Sequence, residues 1–215
     1  MKSVVSSLIL ANVAIFIVQL VVGDTGWLRF ALWPLGEHTI ADVPYTVGFE
    51  PWQLLTSAFL HSPDNLAHLL LNMYGLWAFG RVVERALGGA RFFWLYLASI
   101  LAGGVAQLVV TSFATDLYPT IGASGGVFGV LLAFGMLFPH ARVMLIIPPI
   151  PMKAWIMVIV YGLIELVTGV TGTMQGVAHF AHLGGMLGAF ILMMAWRRHW
   201  PPAPPDVSKG EVGTT

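Results

Sequence analysis

The sequence predicts an all-α polytopic membrane protein: six transmembrane helices, with a short fourth helix that carries a candidate nucleophile and a long interfacial first loop. Three observations carry this expectation. The 215-residue chain is 57% hydrophobic and only 9% charged, with a mean hydropathy of +0.82, a balance foreign to ordinary soluble domains. Most of its apolar runs approach the ~20 residues that a helix needs to cross a bilayer. The charges collect in the connections between those runs.

The first run covers residues 4–22 and follows Lys2. A signal peptide would also begin with a basic residue, but this run exceeds a usual h-region, and Val21-Val22-Gly23 lacks a small-x-small cleavage site, so a retained helix is expected. Residues 23–56 interleave Asp24, Arg29, Glu37, Asp42 and Glu50 with Trp27, Phe30, Trp33, Phe49 and Trp52, while Pro34, Pro44 and Pro51 interrupt any long helix. Aromatic rings favour the headgroup layer, so this stretch reads as a loop lying partly in the bilayer surface. The plainer alternative is a floppy connection.

The second span is expected over residues 66–83 and the third over 92–113, where Gly103-Gly104 offers a close helix contact and nothing chemical. A loop with Asp116 and Pro119 leads into a fourth helix over 124–138, too short to span. Its first residue should therefore lie below the membrane surface, where irregular backbone is tolerated only around a cavity that holds protein or water. After a turn with Arg142, Pro148, Pro149, Pro151 and Lys153, the fifth span (154–170) contains the one mid-span carboxylate, Glu165, and the sixth covers 177–196. Residues 1–200 thus form one six-span domain, and the proline-rich end, 201–215, a disordered cytoplasmic tail. Of the ten Lys and Arg, Arg29 alone falls in the first loop; the rest lie at the N-terminus, the 2–3 and 4–5 connections and the tail. The positive-inside rule then places both termini in the cytoplasm, with the starts of spans four and six facing outward.

The chemistry is narrowed first by what is missing. There is no cysteine, so thiol mechanisms are excluded, and a net charge of zero gives no case for a nucleic-acid partner. The run Gly122-Ala-Ser-Gly-Gly-Val-Phe-Gly129 supports two readings: small residues for tight helix packing, or Ser124 as a nucleophile at a helix start whose free N–H groups can hold an oxyanion. A water-filled cavity around a serine points to hydrolysis. His68 and Asn72 lie one turn apart on one helix face, as site residues or as interhelical glue. His179 and His182 could be core residues, a metal pair, or a base beside Ser124. If Gly184-x-x-x-Gly188 packs into Gly125-x-x-x-Gly129, Ser124 and His182 come to one depth. The pattern Gly122-x-Ser124-x-Gly126 also fits a nucleophile elbow, and Ser124, Glu165 and His182 follow the α/β-hydrolase order, but that motif needs a strand before it, and long apolar helices exclude one.

Taken together, Gly122-Ala-Ser124-Gly125, His68-x-x-x-Asn72 and Ala178-His-Phe-Ala-His182-Leu-Gly-Gly185 resemble the rhomboid intramembrane serine proteases, with a match across a bacterial-type six-helix core. The resemblance implies Ser124 as nucleophile and His182 as its base, in a dyad without a carboxylate. It implies an oxyanion hole from His68, Asn72 and the Ser124 N–H, with Gly122 shaping the turn and Gly125, Phe128, His61 and His179 in support. Phe128 stands where some relatives have a tyrosine stacked on the catalytic histidine, and Gln53 replaces an arginine often found after the Trp52 position, which weakens the case for identical loop anchoring. No cofactor and no metal are implied. The partners are transmembrane protein substrates and the lipid bilayer, the expected location is a bacterial inner membrane with the site open to the outer side, and the oligomeric state is open. The alternative is a catalytically inactive relative that binds transmembrane helices. A transporter would call for inverted-repeat halves, which the sequence lacks, and a haem or metal protein using His68, His179 and His182 would show itself by absorbance or elemental analysis.

Overall fold

The structure, a computed structural model, describes residues 3–23, 25–41, 43–113, 118–144, 150–173 and 177–197. Lys2, Asp24, Asp42, Asp116, Pro148, Pro149, Arg198, Lys209 and the tail 201–215 lie outside the described residues.

Helix α1 (Val4–Val22) starts at Ser3, whose hydroxyl accepts from the Ser6 N–H at 3.3 Å, and stops at Gly23, which takes φ 76°. Its start is also held from a distance. Glu84 accepts from Ser3 Oγ at 2.7 Å, from the Val4 N–H at 2.7 Å and from the Val5 N–H at 3.1 Å. One carboxylate thus satisfies donors that a helix start leaves orphaned, at the positive end of its dipole.

The first loop holds a short antiparallel ribbon, β1 (Glu37–His38) with β2 (Val47–Gly48), and a one-turn helix α2 (Gln53–Thr56). Gln53, buried at its start, ties the loop to itself: Oε1 accepts from the Trp33 and Glu50 N–H groups, each at 3.2 Å, and Nε2 donates to the carbonyls of Arg29 (3.1 Å) and Gly48 (2.9 Å). With both amide hydrogens and the oxygen bonded, a neutral side chain anchors this loop where the resemblance would place an arginine.

Helix α3 (Leu66–Gly75), a π-helical turn (Leu76–Gly80) and α4 (Arg81–Leu87) follow one another without leaving helical backbone angles. Gly88, at φ 81°, turns the chain into α5 (Gly89–Thr111). Then come α6 (Ser124–Leu137), the antiparallel ribbon β3 (Arg142–Met144) with β4 (Pro151–Lys153), α7 (Ala154–Thr171) and α8 (His179–Trp196). Four of these, α1, α5, α7 and α8, are long and apolar enough to cross a membrane. Large apolar side chains such as Leu10, Val21, Leu70, Leu163 and Val170 face outward. Water would penalise such a surface, whereas hydrocarbon does not. The protein is a multi-pass membrane protein, mostly helical, and its two ribbons form no closed sheet.

Helix α8 packs chiefly on α5 and α6. The small residues meet differently from the pairing expected above. A β-carbon at Gly184 would lie 2.7 Å from the Ala102 carbonyl oxygen, and one at Gly188 2.8 Å from that of Ala98, so this glycine pair faces α5. The α6 groove is instead filled from α8 by Ala181 and Gly185: a β-carbon at Gly185 would collide with the Gly125 carbonyl, and one at Gly129 would stand 3.0 Å from that of Gly185. Gly184 and Gly185 point about 100° apart around their helix, so consecutive glycines serve two different neighbours. Helix α5 makes the close contact expected of Gly103: a β-carbon there would come within 2.6 Å of the Ala181 carbonyl oxygen. In lipid, where apolar surface gains nothing by leaving the solvent, such backbone approach supplies the dispersion that holds helices together.

Candidate active site

Ser124 is the first residue of α6, and two features fix its approach. Gly122 adopts φ 126°, open to glycine alone, and a β-carbon there would stand 2.7 Å from His68 Nε2. The incoming segment is tied on both sides, through the Gly122 N–H to the Ser57 carbonyl (3.0 Å) and through paired bonds between Leu32 and Thr120 (3.0 and 2.8 Å). The first bond within α6 runs from the Val127 N–H to the Ala123 carbonyl. The N–H groups of Ser124, Gly125 and Gly126 therefore stand ahead of the helical ladder, at the end of a helix dipole.

The close contact of α8 with α6 brings His182 to this point. Its Nε2 lies 2.7 Å from Ser124 Oγ. Phe128, one turn along α6, lies flat against the imidazole, with centroids 4.2 Å apart and planes 5° apart, and Tyr161 of α7 meets Phe128 edge-on. Behind the ring stands Glu165 of α7. Its Oε2 is 2.6 Å from His179 Nδ1 and 2.9 Å from His182 Nδ1. The first contact is an aligned hydrogen bond, whereas His182 Nδ1 approaches the same oxygen without one. His179 Nδ1 also meets Thr168 Oγ1 at 3.1 Å. Glu165, His179 and His182 each offer one ligand atom, and these lie within 4.8 Å of one another. That is the spacing of a metal pair with a carboxylate, although the contacts just described already occupy the carboxylate and His179 Nδ1.

His68 and Asn72 of α3 approach Ser124 from the other side. The Ser62 N–H points at His68 Nδ1 from 3.4 Å, which leaves the proton of a neutral ring on Nε2, the nitrogen beside Gly122. One Asn72 Nδ2 hydrogen is spent on the His68 carbonyl at 2.8 Å; its second remains for another acceptor. Two hollows flank the serine, of about 450 Å³ and about 370 Å³, and both are lined by His68, Ser124 and His182. Asn72, Phe128 and Tyr161 line the second.

His61 stands one layer back, fully buried, its ring 5.1 Å from that of His68. Its backbone is clamped by the Gln19 amide of α1, which donates to the His61 carbonyl and accepts from its N–H, each at 3.0 Å. Burial first, and then the neighbouring His68, pushes the His61 ring down to about 4.

The structure thus gathers His182, His68, Asn72, Phe128 and Gly122 around Ser124, with Gly125 in the helix contact and His61 and His179 behind. Sequence reasoning misses two contributors and leaves a third without a place: Glu165 stands out as the one mid-span acid, but its depth does not. Thr168 follows it on the same face of α7, and Gln19 gave no signal beyond being polar within an apolar run.

A family model described as the Rhomboid domain matches residues 48–199. The chain is 41% identical over 105 residues to "Rhomboid protein 1, mitochondrial" of Saccharomyces cerevisiae, covering 48% of this chain and 30% of the yeast protein. It is 34% identical over 146 residues to "Rhomboid protease GluP" of Bacillus subtilis, covering 68% of this chain and 26% of that protein. Over 213 residues it is 29% identical to "RHOMBOID-like protein 12, mitochondrial" of Arabidopsis thaliana, covering 92% of this chain and 58% of the relative. The chain therefore spans less than two thirds of the length of each of these relatives.

Proposed function

The chain belongs to the rhomboid family, and from that premise we propose that it is an intramembrane serine protease that hydrolyses a peptide bond in or near a transmembrane segment of membrane protein substrates. One observation carries the reading: Ser124 Oγ stands 2.7 Å from His182 Nε2 at the edge of a cavity. A serine hydroxyl is a weak nucleophile until a base takes its proton, and that distance suits the transfer.

In the proposed reaction, His182 Nε2 accepts the Ser124 proton as Oγ bonds to the scissile carbonyl carbon. The carbonyl oxygen, now an anion, is held by the Ser124 N–H, His68 Nε2–H and the free Asn72 Nδ2–H, donors fixed in place before charge develops. Collapse of the tetrahedral intermediate breaks the C–N bond, and His182 gives its proton to the leaving amine. Water from the cavity, deprotonated by the same nitrogen, then hydrolyses the serine ester. Phe128 keeps the imidazole in plane through both halves.

The finer membrane description belongs to the same proposal. The six spans are α1, the continuous path from α3 through α4, then α5, α6, α7 and α8, with both termini cytoplasmic, the amphiphilic first loop in the outer interface and the site opening outward from a bacterial inner membrane. The substrates are single-span proteins whose helices unwind near small residues. The deciding experiment combines fluorophosphonate labelling with cleavage of a model single-span substrate in liposomes. Labelling and cleavage by the wild type, both lost in Ser124→Ala, are expected; undiminished cleavage by purified Ser124→Ala would overturn the proposal.

A further inference from the structure

Resting on the protease reading, we infer that Glu165 is a positioning residue, a carboxylate that holds the His182 proton on Nδ1 so that Nε2 faces Ser124 as an acceptor. Four atoms define the arrangement. Glu165 Oε2 lies 2.9 Å from His182 Nδ1, and the opposite nitrogen of the same ring lies 2.7 Å from Ser124 Oγ. Carboxylate, imidazole and hydroxyl are therefore connected in sequence across three helices, α7, α8 and α6.

A neutral imidazole carries one N–H, and which nitrogen bears it decides whether the ring can act as a base toward Ser124. An ionised carboxylate only accepts, so its presence beside Nδ1 favours the proton there and stabilises the imidazolium formed when Nε2 takes a second one. The 2.9 Å approach of the carboxylate oxygen supplies this bias, and a small rotation of the ring toward Oε2 would align the hydrogen bond as positive charge develops.

The surroundings hold the carboxylate in place for that purpose. His179 Nδ1 donates to the same oxygen at 2.6 Å, and Thr168 Oγ1 stands 3.1 Å from that nitrogen. An ionisable side chain in an apolar helix is expensive, and a carboxylate that merely joined α7 to α8 could be replaced by a neutral hydrogen-bonding residue at little loss. The shared oxygen gives His179 its own part: it sets the orientation of Glu165 and does not touch the reacting atoms.

Glu165→Gln separates positioning from structural support, because the amide keeps the shape of the carboxylate while its NH2 can donate to Nδ1. That donation favours the tautomer with hydrogen on Nε2, where no proton can be accepted. For Glu165→Gln we expect kcat for substrate cleavage to fall about tenfold or more, with KM and melting temperature near wild type. Glu165→Asp should recover part of the loss. Nitrogen-15 NMR of the ring, assigned by the signal lost in His182→Gln, should place the proton on Nδ1 in the wild type. Wild-type kcat in Glu165→Gln, or a wild-type ring protonated on Nε2, would overturn the inference, as would a lower melting temperature with unaltered turnover per folded molecule. Should Glu165→Gln fail to fold, the wild-type ring spectrum and Glu165→Asp turnover still decide. A wild type that neither labels nor cleaves would sink the protease reading itself, and this inference with it; an active wild type with an equally active Glu165→Gln sinks only the inference.

Discussion

Phe128 is stacked face to face on His182, its plane within 5° of the imidazole and its centroid 4.2 Å away. The two residues come from α6 and α8, so the stack fixes the ring across the same helix contact that fixes Ser124. A face-on aromatic contact contributes about 0.5–1.5 kcal/mol beyond simple burial and restricts ring rotation. Truncation to Phe128→Ala should therefore lower kcat by roughly tenfold, in keeping with about 1.4 kcal/mol of lost positioning, with a smaller change in KM. Phe128→Tyr keeps the stacked face and should retain most of the activity. Steady-state kinetics on a reconstituted substrate check both, and equal turnover in Phe128→Ala would remove the stack from the mechanism.

The nucleophile and the base should behave as a unit. Ser124→Ala and His182→Ala are each expected to abolish cleavage, and the double variant should be no worse than either, because removing one member already disables the other. Both should keep wild-type melting temperatures to within a few degrees. His179→Ala is expected to retain a measurable rate and normal fluorophosphonate labelling, since its ring nitrogen meets Glu165 and Thr168 and not the serine. If it were as inactive as His182→Ala, and added zinc altered both, the three-ligand reading of Glu165, His179 and His182 would gain.

His68 and Asn72 are proposed to donate to an oxygen that becomes charged only in the transition state. Loss of one such donor typically costs ~10²–10³ in rate when the others cannot compensate. Here the Ser124 N–H and the second side chain remain, so a graded loss is expected, larger for His68→Ala than for Asn72→Ala, whose amide already spends one hydrogen within its own helix. Turnover per probe-labelled molecule, read beside the melting temperature, separates this from glue: a purely structural role lowers melting while the folded fraction cleaves at the wild-type rate.

Long apolar runs make α1, α5, α7 and α8 legible in the sequence, because ~18 or more such residues leave few alternatives to a membrane-spanning helix. Ser124, His68 and His182 are conspicuous for the converse reason, as polar groups inside apolar stretches, and they line one cavity. Helix rotation is not legible. Composition shows that Gly184, Gly185 and Gly188 are small, but only packing decides which of them meets α5 and which meets α6. The same gap hides the depth of Glu165. The two ribbons escape a sequence reading because strands of two or three residues, one of them beginning at Pro151, carry no alternating pattern to detect. The π-helical turn at Leu76–Gly80 has no sequence signature distinct from ordinary helix.

The α6–α8 contact leaves no room for a methyl group at Gly185, where a β-carbon would overlap the Gly125 carbonyl. Backbone cannot move aside as a flexible side chain would. Gly185→Ala should therefore destabilise by about 1–3 kcal/mol and also lower activity by separating Ser124 from His182. Gly162→Ala is the control, since its β-carbon would find only Met186 Cε at an ordinary 3.6 Å; α-helical alanine there should leave melting unchanged or raise it slightly. Melting temperatures and turnover of the two variants test the pairing directly, and a wild-type Gly185→Ala would contradict it.

Acid should weaken the fold through His61. Its buried ring is held near 4 against an ordinary value of 6.5, chiefly by burial and secondarily by His68. The unfolded chain therefore takes up a proton at this position as pH falls through 6.5, while the folded protein does not until about 4. Between those values the unfolded state binds more protons, so stability rises with pH there. The contribution of a neutral His61 is complete above the ordinary value, is lost progressively as pH drops through the window, and levels off once the folded ring is protonated as well. His61→Gln cannot titrate. In detergent, melting temperature measured from about pH 7 down to about pH 4 should fall less steeply for His61→Gln than for the wild type, even if the variant starts lower at neutral pH. Parallel slopes across the window would show that His61 does not set the acid sensitivity of the fold.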